Sequence, residues 1–225
     1  MRPIAEALAA EGVPSIVPLL RGHGGGGIGI ASARLGDWRQ DVRAAIEDLS
    51  EQTGRAPIVV GLSMGGLLAL DAGVDGELEV SGVASLAAPL FLERSARIVA
   101  RLSRAFGDSI GERMMLRKGD GSDISTDQEL PGADQIPFRA LDELFALMDS
   151  VRLRLERLEC PLLVVHARED HTAPLDSATA IVQAARSAER VRLRVLDDGY
   201  HVITRDVCSE RVAAEVVRFA LEVRG

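Results

Sequence analysis

The chain has 225 residues, 47% of them hydrophobic, and a formal net charge of −8 at pH 7. That length and apolar content suffice for one domain with a full core and an insertion. The negative balance argues against a nucleic-acid or anionic-membrane partner. No apolar run approaches the roughly 18 residues that span a bilayer. Met1-Arg2-Pro3 leads straight into a helical pattern, so no secretory signal is read. A cytoplasmic protein with no stable membrane insertion is expected, as monomer or homodimer. Cys160 and Cys208 read as buried thiols and not as a disulfide framework.

Ile4 and Leu8, with the alanines around them, give an opening helix one apolar face, and Glu11-Gly12 closes it. Ser15 to Leu20 reads as a short strand, followed by Arg21-Gly22-His23-Gly24 and three more glycines. Those glycines lack the Gly-Lys-Ser/Thr ending of a phosphate loop and read as a linker. Asp37 to Leu49 carries Trp38, Val42, Ala45, Ile46 and Leu49 at helical spacing, and Gly54 ends that helix. Pro57 opens a β-branched strand that runs through Val59-Val60-Gly61-Leu62 into Ser63-Met64-Gly65-Gly66 and a helix beyond. Val80 to Leu86 is the next strand. This alternation predicts a mostly parallel sheet with helices on both faces.

From Leu90 to about Leu158 the alternation stops, which reads as a small helical cap inserted after the third visible strand. The expected division is 1–89 core, 90–158 cap and 159–225 core. Two helical patterns, Leu92 to Phe106 and Phe138 to Leu158, bracket a polar stretch. In the second, Phe138, Leu141, Leu144, Phe145 and Met148 form a stripe that packs against the main domain or lines an acyl pocket. Asp123, Ser125, Asp127 and Asp134 have calcium-loop spacing. However, Gln128 stands where such a loop needs glycine and Asp134 where it needs a bidentate glutamate, so a solvated loop and no metal are expected. The alternation resumes with strands Leu162 to Ala167 and Val191 to Leu196, helix Ser177 to Ala185, and a closing helix from Cys208 to Val223.

Strand, Gly-x-Ser-x-Gly turn and helix together place Ser63 at a helix N-terminus with its hydroxyl exposed. Gly61 and Gly65 are expected to leave room across the tight turn. The Met64 N–H then points to where a negative oxygen could form. A serine hydroxyl needs a base and a group to orient that base. Of the four histidines, His166 lies inside an apolar strand, His23 in the glycine loop and His171 directly after Asp170. His201 alone occupies the loop after the last strand, so it is the expected base. Asp170 is the natural orienter, with Glu169, Asp197 and Asp198 as rivals.

These pieces resemble the α/β-hydrolase superfamily, and within it the bacterial carboxylesterase and monoacylglycerol lipase group. The matching residues are Arg21-Gly22-His23-Gly24, Asp37-Trp38, Gly61 through Gly66, Cys160-Pro161 before the strand ending His166-Ala167 with Asp170 beyond, and Tyr200-His201-Val202-Ile203-Thr204. The resemblance implies an α/β-hydrolase fold. It also implies hydrolysis of small-molecule carboxylic esters with short to medium acyl chains, monoacylglycerols among them, through an acyl-enzyme and without a cofactor. Members of the group begin with a central strand whose His-Gly-aromatic loop gives the second oxyanion donor; neither is found in this chain. Met1 is therefore expected to be an internal methionine of a protein with some tens of further N-terminal residues. The alternative class is a non-catalytic, hydrolase-like binding module.

Overall fold

The structure is a computed structural model that describes residues 1–23, 30, 32–91, 115–117, 123–126 and 135–224. Helix α1 spans Arg2–Ala10 and α2 Leu35–Thr53; β1 spans Ile58–Leu62, α3 Met64–Gly73 and β2 Gly82–Leu86. Then come β3 Met115–Arg117, β4 Gln135–Pro137 and α4 Phe138–Arg154, the last followed by a short 3-10 turn. The chain ends with β5 Leu162–Ala167, α5 Asp176–Ala184, β6 Val191–Leu196 and α6 Ser209–Arg224. Four strands form one parallel sheet in the order β1-β2-β5-β6, while β3 and β4 pair antiparallel on their own.

Side-chain alternation divides the core between the two faces of that sheet. Val83, Leu162 and Val164 pack with α2, α3, α4 and α5, whereas Ala84, Leu86, Leu163 and Val165 pack with α1 and α6. Strands buried on both faces carry near-continuous apolar sequence, and β2 and β5 are buried at every residue. Helix α3 is likewise buried from Gly66 through Ala72, so it has no polar face, and Asp71 is its one charge.

Local signals set the ends of α2. The Asp37 carboxylate accepts the Arg34 N–H at 2.9 Å, and Gly54 closes the helix in the left-handed region with its N–H on the Ser50 carbonyl. Trp38 is buried and donates its indole N–H to the Arg21 carbonyl at 3.0 Å, while Arg21 pairs with Asp37 and Asp41. The Arg21 turn is thereby fixed to α2.

Ser15 to Leu20 is not a strand. Its apolar, β-branched residues read as one, yet Pro14 and Pro18 lack N–H donors, and no backbone hydrogen bond joins Ser15–Leu19 to another described element. A ladder needs a partner, and beside this segment lies an apolar trench that separates it from β1. The segment expected as an insertion therefore follows β2, the second strand of the sheet, and not a third. Its first helical pattern, Leu92 to Phe106, lies outside the described residues. In α4 the fully buried residues are Leu147, Met148 and Val151, in the same cluster as Leu67 and Leu70 of α3; Leu144 and Phe145 pack at its margin. The buried stripe is thus shifted along the helix from the expected one, because α4 crosses α3 beyond its first turns.

Candidate active site

Ser63 lies between β1 and α3 with φ 56° and ψ −120°, a strained conformation for a residue with a side chain. Its N–H donates to the Leu86 carbonyl at 2.8 Å, and its own carbonyl accepts the Gly66 N–H at 2.9 Å, so backbone bonds on both sides hold the bend. A Cβ on Gly61 would stand 1.9 Å from the Gly65 carbonyl oxygen; one on Gly65 would meet nothing within 4 Å. The need for space therefore falls on Gly61 alone. At the expected twin position it is the Gly65 backbone that makes the approach.

Asp170 follows β5 and His201 follows β6, both at the carboxyl ends of parallel strands, where sheets of this kind place their sites. His201 Nε2 is 2.8 Å from Ser63 Oγ, and Nδ1 is 2.9 and 3.1 Å from the two Asp170 oxygens. Both His201 and Asp170 are buried. The network assigns the tautomer: Nδ1–H donates to the carboxylate and Nε2 accepts the serine O–H. Asp170 Oδ1 also accepts the N–H groups of Thr172 at 2.9 Å and Ala173 at 2.7 Å. Burial alone would push the Asp170 carboxyl up. Hydrogen bonds from His166 and His201, the His201 charge and the Ala173 amide outweigh it and hold the carboxyl well below its ordinary range. Of the rivals, Asp197 pairs with Arg168 and Asp198 with Arg211, both away from His201.

Known proteins can now be set beside this geometry. Residues 1–207 match the model of the family described as serine aminopeptidase, S33. The chain belongs to that family. It is 31% identical over 209 residues to the thermostable monoacylglycerol lipase of Bacillus sp. (strain H-257), covering 92% of this chain and 78% of that protein. To the carboxylesterase of Bacillus subtilis (strain 168) it is 24% identical over 220 residues, covering 97% and 85%. Among solved structures it is similar to one from the metagenome-derived lipolytic enzymes LipS and LipT, with TM-score 0.88, 27% identity and coverage of 99% and 87%. The Paleococcus ferrophilus monoacylglycerol lipase shares the fold, with TM-score 0.80, 17% identity and coverage of 98% and 88%. The fold is that of the α/β-hydrolases.

In this α/β-hydrolase several residues that the sequence did not mark as supports hydrogen-bond around the site. His166 is wholly buried and donates Nε2–H to the Ala173 carbonyl at 2.9 Å, with Asp170 Oδ2 at 3.3 Å. Asp206 accepts the N–H of Tyr200 at 2.8 Å, of Ser125 at 2.9 Å and of Val207 at 2.8 Å, as well as the Ser125 hydroxyl. Burial opposes its ionisation, but these donors hold its carboxyl below the ordinary value. Asp123 accepts from His171 N and Nδ1 and from Thr172 Oγ1, and its carbonyl accepts the Val202 N–H. Ser125 is exposed, as expected of a solvated loop, but the segment also makes specific hydrogen bonds that brace the turns carrying Asp170 and His201; Asp127 and Asp134 lie outside the described residues. Only the structure could pair segments so far apart in sequence.

Burial pushes the Cys160 and Cys208 thiols up to about 11, away from the thiolate form. Among the described residues no group of three or more His, Cys, Asp or Glu side chains is placed to hold a metal ion. Nor is any described helix long and apolar enough to cross a membrane.

Proposed function

We propose that this protein is a serine esterase that cleaves small carboxylic esters through an acyl-enzyme. The observation that carries the reading is the continuous hydrogen-bonded line from Ser63 Oγ to His201 Nε2 at 2.8 Å and from His201 Nδ1 to Asp170 at 2.9 Å.

Ser63 Oγ attacks the ester carbonyl while His201 Nε2 takes the hydroxyl proton. Asp170, ionised and hydrogen-bonded to Nδ1–H, keeps the ring in place and stabilises the imidazolium. The carbonyl oxygen becomes an oxyanion beside the Met64 N–H, which is the first helical amide of α3 and has no acceptor within the helix. Collapse of this intermediate breaks the bond to the alcohol oxygen, and His201 gives that oxygen its proton. Water then attacks the acyl-enzyme by the same route, with His201 again taking and returning a proton, and releases the acid. Monoacylglycerols and other esters of short to medium acyl chains are the proposed substrates, in line with the relatives named above.

Hydrolysis of p-nitrophenyl esters from acetate to laurate tests the reading, with Ser63→Ala as control. Turnover that disappears in the variant is the expected result, and the best chain length sizes the acyl site. Folded protein with no Ser63-dependent hydrolysis of any ester would favour the non-catalytic binding module.

A further inference from the structure

Strand β5 lies between β2 and β6, all its residues are buried, and His166 is its one polar side chain. Alternation along the strand puts His166 on the face of Leu162 and Val164, which pack in one cluster with Ala178 and Ile181 of α5. A buried imidazole at such a place carries a desolvation cost that an aliphatic side chain would not. The cost falls on Nδ1, which is buried and has no hydrogen-bond partner among the described residues. Nothing in the chemistry above uses this ring, so its other nitrogen must account for its presence.

Nε2 lies 2.9 Å from the Ala173 carbonyl and 3.3 Å from Asp170 Oδ2, so two acceptors converge on one nitrogen and the proton belongs there. The opposite tautomer would set a lone pair against two oxygens and leave the N–H with nothing to meet. His166 is therefore fixed as a donor, and it faces both ends of the turn from Asp170 to Ala173. The same turn is closed on its other side by Asp170 Oδ1, which accepts the Thr172 and Ala173 amides.

The two carboxylate oxygens are not equivalent. Oδ1 has those two amides and the longer His201 contact, at 3.1 Å, whereas Oδ2 has the shorter one, at 2.9 Å. Besides His201, the one donor at Oδ2 among the described residues is His166. The Asp170 side chain has no exposure, so solvent does not stand in for that donor. Burial works against the charge on Asp170, and of the groups that overcome it the His166 hydrogen bond leads. Without His166 the carboxylate is anchored through Oδ1 alone, and rotation about its Cβ–Cγ bond is free to carry Oδ2 off the line to His201.

We propose that His166 is a positioning residue for the line from Ser63 to Asp170: a fixed Nε2–H donor, built into the sheet, that holds Asp170 Oδ2 on His201 Nδ1. It acts through Asp170 and not on substrate. The proposal rests on the esterase reading and deepens it, since a carboxylate carried on a turn gains through His166 the rigidity of an interior strand.

Variants at His166 and at Val164, on the same face of β5, separate positioning from packing. His166→Gln keeps an N–H near the place of Nε2, His166→Phe keeps a ring and no donor, and Val164→Ala opens a cavity without removing any group from Asp170. His166→Phe is expected to lower kcat on the best p-nitrophenyl ester by about 10- to 100-fold at unchanged KM, and His166→Gln to return to within about fivefold of the parent. Val164→Ala should lose about 5 °C of melting midpoint and less than about twofold in kcat. His166→Leu takes the place of the phenylalanine variant if that chain does not fold. Proton NMR gives a reading free of hydrolysis. The low-field line of His201 Nδ1–H, assigned by its loss in His201→Ala, should move upfield and broaden in His166→Phe and stay in place in His166→Gln. An unchanged line in His166→Phe overturns the proposal, as does an equal fall of kcat in the glutamine and phenylalanine variants. So do nitrogen-edited spectra in which His166 carries its proton on Nδ1 alone. A parent without the line has no His201–Asp170 bond to hold, which overturns it too. A line that depends on His166 in a protein that hydrolyses no ester would sink the esterase reading and leave the positioning standing.

Discussion

Gly61 and Gly65 lie against each other across the turn that carries Ser63, so closely that a Cβ on Gly61 would stand 1.9 Å from the Gly65 carbonyl oxygen and 2.1 Å from its carbon. That contact is backbone against backbone, and no side-chain rotation relieves it. Gly61→Ala is expected to open the bend, cost at least about 3 kcal/mol of stability and abolish hydrolysis. Gly65→Ala adds a methyl to open space within α3 and is expected to change stability by less than about 1 kcal/mol. Urea unfolding of the two variants checks the contrast; equal losses would contradict it.

Asp170 is expected to show itself in both rate and acid stability. Asp170→Asn keeps the shape but removes the charge that faces the His201 imidazolium, so turnover should fall by about 10⁴-fold. The folded carboxyl is held below its unfolded value. Its stabilisation is therefore fully present above the unfolded value, about 3.9, and is lost as pH falls through the folded one. Unfolding free energy measured from pH 6 downward should decline less steeply in the Asn variant below roughly pH 4. A slope as steep as the parent's would show that other carboxylates set the acid limb.

Much of this was legible in the residues. Short apolar runs marked the strands of the sheet and period-3.6 patterns the helices α1, α2 and α6, while α3, which has no polar face, was legible from its place after the Gly-x-Ser-x-Gly turn. The Ser63 turn was readable because strand, glycine and helix constraints coincide in eight residues. Ser15 to Leu20 was misread because pattern reports the preference of a segment and not the presence of a neighbour to pair with. Asp123 and Asp206 were invisible as site residues for a related reason. Each acts by accepting hydrogen bonds from a turn distant in sequence, and an isolated aspartate in a polar stretch carries no mark of that.

Asp71 ties three helices together behind Ser63. Arg39 of α2 reaches its oxygens at 2.8 and 2.9 Å, and Arg154 and Ser150 of α4 join the same cluster. The carboxylate is buried at 7% side-chain exposure, but Arg39 keeps 41% and Arg154 28%, so both guanidinium groups can turn to water when it is removed. Asp71→Asn is accordingly expected to cost about 1 to 2 kcal/mol, below the loss for a fully buried pair. Double-mutant cycles with Arg39→Gln should return a coupling of about 1 kcal/mol; no coupling would mean that the cluster holds through α4 alone.

Asp123 stands between the turns that carry the other two members of the serine line. Its carboxylate takes the His171 amide at 3.1 Å, His171 Nδ1 at 2.9 Å and the Thr172 hydroxyl at 2.8 Å, one and two residues past Asp170. Its carbonyl takes the Val202 N–H at 3.1 Å, next to His201. Asp123→Ala keeps the backbone bond and removes the other three, which frees the Asp170 turn while leaving the His201 turn attached. Because displacement of a catalytic group by about 1 Å can cost about 100-fold, kcat on the best p-nitrophenyl ester should drop by about ten- to 100-fold. Asp123→Asn keeps an acceptor oxygen for the His171 amide and is expected to recover most of that loss. If both variants lost the same activity, charge at position 123 and not the bracing of the turn would be what matters. Unchanged kcat in both would remove Asp123 from the supporting set.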